Sequence, residues 1–187
     1  MKRLLIACLF AAGLSVSAHV PAHAQISLFQ DTGVMQAVNQ GDLSKLKSAL
    51  LRGDNPNQTD IHGRTALLTS VIAGNPSIVG TLLDGGANVN RADKAGNTPL
   101  LAAVEGGHFE IVDLLLKKGA KIDQDNREGM TPLMAAARGG RADLVDRLLK
   151  GGAKVDRSDF TGRTAMNWAE DGRNARVTSL LRQAGAR

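Results

Sequence analysis

Cysteine is nearly absent from this chain: Cys8 is the single one among 187 residues. One thiol cannot form an internal disulfide, so stability has to come from packing. Tyrosine is missing, and tryptophan occurs once, at position 168. Without a basic cluster interleaved with aromatics, the chain lacks the footprint of a nucleic-acid binder. Long apolar runs are also missing. The stretch Leu4 to Val16 is about a dozen residues, against the ~20 that cross a bilayer. No metal-ligand spacing is present, and no nucleophile–base motif can be recognised. Glycine-rich stretches such as Asp84-Gly85-Gly86 close helices and open none that would cradle a phosphate. The sequence therefore implies no cofactor and no metal, and it reads as non-enzymatic.

The start of the chain carries a different signal. Met1-Lys2-Arg3 is basic, Leu4 to Val16 is apolar, and Ala22-His23-Ala24 supplies small residues around a cleavage point. That order is expected of a secretory signal peptide over residues 1–24, cut between Ala24 and Gln25. Leu5-Ile6-Ala7-Cys8 resembles a lipoprotein box, but no apolar stretch precedes it. No twin-arginine pair is present, which favours the general secretion route. Removing 24 of the 187 residues leaves 163, enough for one domain with a sizeable core. Cys8 leaves with the signal, as do Lys2 and Arg3, so the formal charge falls from +5 to +3. No other apolar run reaches membrane-spanning length, so the mature chain is not expected to insert. The periplasm of a Gram-negative bacterium is the expected location, with full secretion as the alternative.

What is abundant is repetition. Gly63-Arg64-Thr65-Ala66-Leu67 returns as Gly96-Asn97-Thr98-Pro99-Leu100. It returns again as Gly129-Met130-Thr131-Pro132-Leu133 and as Gly162-Arg163-Thr164-Ala165-Met166, each 33 residues on. Gly86-Ala87, Gly119-Ala120, Gly152-Ala153 and Gly185-Ala186 keep the same step, as do Leu82-Leu83, Leu115-Leu116 and Leu148-Leu149. A fixed period of this length signals stacked supersecondary units.

Each unit reads physically. Thr98 suits an N-cap and Pro99 the first helical position. Leu100 to Val104 make a short apolar helix that Gly106-Gly107 ends. His108 to Lys118 follow as a second helix, with Phe109, Ile111, Val112, Leu114, Leu115 and Leu116 as the expected buried stripe. Gly119 suits a left-handed cap. The polar connector that follows, rich in Gly, Asp and Asn, is a turn or short hairpin. Asp60, Asp93, Asn126 and Asp159 recur there as residues that bond their own backbone.

The period, the Thr-Pro-Leu start, the Gly-Ala ending and the helix-turn-helix unit together resemble the ankyrin repeat. The resemblance covers about residues 30 to 187. It implies an all-α solenoid of about five stacked helix-turn-helix units with short hairpin-like turns. The units run over about residues 30–57 (cap), 60–90, 93–123, 126–156 and 159–187 (cap). One departure is visible: the family's usual histidine after Thr-Pro-Leu is Leu68, Leu101, Met134 and Asn167 here, where apolar packing can replace polar stitching. Arg182, in place of the leucine at 83, 116 and 149, fits an outer cap.

The resemblance also implies where function sits, namely the turn tips and the exposed side of each first helix. The candidate protein-binding residues at the tips are Ile61, His62, Arg64, Lys94, Asn97, Arg127, Glu128, Met130, Phe160 and Arg163. Glu105 and Arg138 represent the first helices, alongside Ile72 and Asp171. Ile61, Met130 and Phe160 are expected to form an apolar stripe among cations, a composition that suits an unidentified partner protein with an acidic surface. Trp168 is expected to plug the end of the stack or to anchor that partner. A secreted effector and an inhibitor or immunity-type protein are the alternative roles, and a monomer is the expected state.

Overall fold

The computed structural model describes residues 33–186, so the expected signal peptide and the start of the first unit lie outside the described residues. Ten α-helices form five pairs there. They are α1 (Gly33–Asn39) with α2 (Leu43–Leu51), α3 (Ala66–Ile72) with α4 (Pro76–Asp84), and α5 (Pro99–Gly106) with α6 (Phe109–Lys117). The chain continues with α7 (Pro132–Arg138) and α8 (Ala142–Lys150), then α9 (Ala165–Asp171) and α10 (Ala175–Gln183). The members of each pair pack together, and pairs stack in chain order: α1, α3, α5, α7 and α9 form one row. No described helix is long and apolar enough to cross a membrane.

The helix starts are chemical. Thr65, Thr98, Thr131 and Thr164 each accept the amide of the third residue onward through the side-chain oxygen, at 3.1 to 3.4 Å. Each cap satisfies an amide that the helix cannot. Leu68, Leu101 and Met134, at the family's histidine position, are buried. Asn167 instead returns a bond to the Thr164 amide and completes a capping box.

Burial then joins the units. Leu46, Leu82, Leu115, Leu148 and Leu181 occupy one position 33 or more residues apart, and all are fully buried in a single core. Each leucine taken from water contributes about 1.5–3 kcal/mol. The stripe of α6 is narrower than expected: Ile111, Val112 and Leu115 are buried, but Phe109 is exposed. Its ring lies under the Arg147 guanidinium at 5.0 Å instead. Arg147 also forms an ion pair with Asp113 at 3.1 Å. It therefore bridges α6 and α8, where the second-helix row is loosest.

Polar fasteners run at the same period. Asn57 donates to the Gly86 carbonyl and accepts the Asn88 amide. Asn90 does the same with Gly119 and Lys121, and Asp123 accepts the Lys154 amide. Arg91 and Arg157 reach back to the carbonyls of Asn57 and Asp123.

Candidate functional site

Every turn tip is built on one side chain. The Oδ1 atoms of Asp60, Asp93, Asn126 and Asp159 each accept two backbone amides, two and four residues onward, at 2.8 to 3.0 Å. The tips are therefore stiff before anything touches them. They are also tied to one another: the Arg127 amide donates to the Ala95 carbonyl and the Phe160 amide to that of Glu128, both at 3.1 Å. Gly129 is needed at such a crossing, since a Cβ there would stand 2.8 Å from the Phe160 nitrogen.

The second side-chain atom of these turn residues differs from unit to unit. Asp60 Oδ2 takes the Arg64 Nε at 2.8 Å. Asn126 Nδ2 donates to Asn97 Oδ1 at 3.1 Å. Asp159 Oδ2 takes the Trp168 indole N–H at 3.0 Å. For Asp60 and Asp159, burial pushes the carboxyl pKa up. The donated hydrogen bonds outweigh it and hold both below the usual carboxylate range.

The expected site residues divide into three groups. Ile61 and Phe160 stand in water at 75% exposure each, as do His62, Lys94, Arg127 and Glu128. Lys94 bonds the Ile61 carbonyl at 2.9 Å, whereas the Arg127 guanidinium has no partner among the described residues. Glu105 and Arg138 are exposed and paired with each other at 2.9 Å. Arg64 and Asn97 are half-buried against the turns, and Arg163 lies over the Trp168 ring at 3.9 Å.

Met130 corrects the expected stripe. It is buried, at 3% exposure. It sits just before the N-cap Thr131, where an apolar side chain folds back over the first helical turn. That placement was readable from the position, since an apolar residue directly before a cap packs as a staple on the first turn. Ile61 and Phe160, three units apart, are not joined by it; Lys94 and Arg127 stand between them. Trp168 packs against the core from the last unit, as a plug at the end of the stack does. It lies half-buried between Arg163 and Arg138, the latter 5.6 Å from the ring, and Arg163 is further paired with Asp171.

One groove of about 230 Å³ opens on this side, between α3 and α5. Leu68, Ile72 and Ala102 give it apolar walls, and Asp93, Asn97 and Glu105 line it with polar atoms. The sequence placed Asn97 and Glu105 at such a surface but read Asp93 only as a turn former.

The family model described as "Ankyrin repeats (3 copies)" matches residues 34–126 and 122–187. No curated protein matches the chain.

Proposed function

The chain belongs to the ankyrin-repeat family, and from that premise we propose that it is an exported, non-enzymatic module that binds one partner protein. Repeats of this family generally serve protein–protein interaction. The turn tips and the exposed side of the first helices form the binding face, and the periplasm is where it works.

The observation that carries this reading is Arg127. It is an exposed guanidinium, unpaired among the described residues, on a turn locked by six hydrogen bonds within and between tips. Phe160 lies on the next tip. An anchored arginine beside an exposed aromatic is the composition that concentrates binding energy. Because the tips are already ordered, little conformational entropy is lost on docking. Lys94 and Arg127 favour an acidic partner surface, with association that weakens as salt rises.

The test places a photo-crosslinker beside Arg127 in the exporting host and identifies what it captures by mass spectrometry. A single dominant protein, lost when Arg127 and Phe160 become alanine, is the expected result. A correctly folded and exported chain that captures nothing specific overturns the reading. An intact mass starting at Gln25 in the periplasmic fraction checks the export step. Recovery outside the cell would reassign the location.

A further inference from the structure

We propose that the groove between α3 and α5 receives an arginine side chain of the partner protein, with Asp93 as the group that pairs with it. This rests on the chain being a binding module and states the chemistry of one residue the partner must bring.

The case begins with what the chain does to itself. In three of the four described turns, the second polar atom of the turn residue is closed by a side chain of the same protein: Arg64 on Asp60, Asn97 on Asn126, and Trp168 on Asp159. Asp93 alone departs from this. Its Oδ1 holds the turn, and its Oδ2 has no hydrogen-bond partner among the described residues. The nearby Lys94 ammonium is engaged by the Ile61 carbonyl.

The groove exists because of two small residues. The position before each N-cap and the fourth helical position face each other across the first turn. These pairs are Arg64 with Thr69, Asn97 with Ala102, Met130 with Ala135, and Arg163 with Trp168. Three pairs contain a long side chain that covers the turn. Asn97 and Ala102 contain none, and the uncovered volume is the 230 Å³ groove. That is below the roughly 300–1,000 Å³ typical of small-molecule pockets, and suits one long side chain. Leu68, Ile72 and Ala102 offer walls for an aliphatic stem, and Ile72 is 53% exposed. Glu105 adds negative charge at the edge, although Arg138 already shares it.

Arginine is favoured over other cations because Arg64 already shows the geometry that an Asp at this turn position accepts: an Nε donor at 2.8 Å. A partner's guanidinium would supply in trans what Arg64 supplies in cis. The planar fork also leaves donors for Glu105.

The experiment titrates acetyl-Gly-Arg-Gly-amide into the isotope-labelled protein and follows the backbone amides of Asn97, Ala102 and Glu105 by NMR. The citrulline peptide is the neutral control. Saturable shifts with arginine, at least about tenfold weaker with citrulline, are expected from loss of one charge-assisted bond. Asp93→Asn should weaken binding to a similar degree without disturbing the turn, because Asn126 holds the same turn with amides at 2.9 and 3.0 Å. Asn97→Arg should fill the groove from within and abolish the shifts; it also removes the bond from Asn126 Nδ2 to Asn97 Oδ1, so its melting curve is recorded alongside. If Asn97→Arg fails to fold, Asp93→Asn decides the matter. Absent groove shifts, equal shifts with citrulline, or undiminished binding by Asp93→Asn overturns the proposal. Such a result leaves a partner captured through Arg127 intact. A groove that binds arginine in a protein that captures no partner overturns the binding-module reading alone.

Discussion

The third unit, α5 with α6, and the fifth, α9 with α10, share one backbone but not one chemistry. The third is covered on both sides; among the described residues, nothing covers the far side of the fifth. Leu101, Val104 and Leu116 in the third become Asn167, Glu170 and Arg182 in the fifth, and all three replacements are exposed. Arg182 and Glu170 meet at 3.5 Å across that open side. The glycine after the first helix changes too. Gly107 has φ +74°, and the Arg141 guanidinium of the next unit lies over it, so a Cβ would collide. At the matching Arg173 no described unit presses down, and a side chain is tolerated at φ +53°. Leu115 and Leu181 are equally buried. Position within a unit sets the backbone, whereas coverage by a neighbour sets which side chains must be apolar or absent.

Breaking the covered side should cost most. Leu115→Ala is expected to lower stability by about 2–5 kcal/mol in urea unfolding, because the gap it leaves cannot collapse. Arg182→Ala at the open side should stay within about 0.5 kcal/mol. Next come the paired backbone positions. Gly107→Ala should destabilise by about 1 kcal/mol, chiefly through its left-handed φ, with the overlying Arg141 side chain shifting aside. Arg173→Gly should do the reverse and raise stability by up to about 1 kcal/mol. Equal effects of the two would abolish the distinction drawn between covered and open units.

The helix caps should show a smaller contrast. Thr98→Ala and Thr164→Ala each remove one cap bond, worth about 1 kcal/mol. The loss should be greater at Thr98, which is buried at 2% exposure, than at the half-buried Thr164. Smallest per site is a pH effect. Asp60 and Asp159 are held below their ordinary value in the folded protein. Their contribution is therefore complete above the unfolded value of about 3.9 and is lost as pH falls through the lower folded values. The urea midpoint should drop between pH 6 and pH 3, and Asp159→Asn should flatten that drop.

Most of the fold was legible because its signals are local. Threonine caps, glycine turns and the 33-residue period each specify backbone geometry within a few residues of themselves, and each helix pair lies where they place it. The candidate surface was less legible, because exposure depends on what lies over a residue. Met130 reads as a tip by proximity to Gly129, yet its position before Thr131 turns it inward. Phe109 reads as core by helical spacing, yet the wider separation of α6 and α8 leaves it beneath Arg147. Trp168 is unusual in the sequence, but its two arginine neighbours come from different units of the stack, Arg138 from the end of α7 and Arg163 from the last turn. The Asp93 oxygen, without a partner among the described residues, stands out only against its three occupied counterparts.

The Asn57, Asn90 and Asp123 fasteners have a consequence for how such a chain can change length. Each reaches forward to backbone atoms about 30 residues later, and its successor occupies the matching place one period on. A gene segment encoding 33 residues, if duplicated in register, would carry both the clasp and the eye it closes on. The array could grow or shrink by whole units while its two ends stayed as they are, and the span of partner surface it grips would change by one tip at a time.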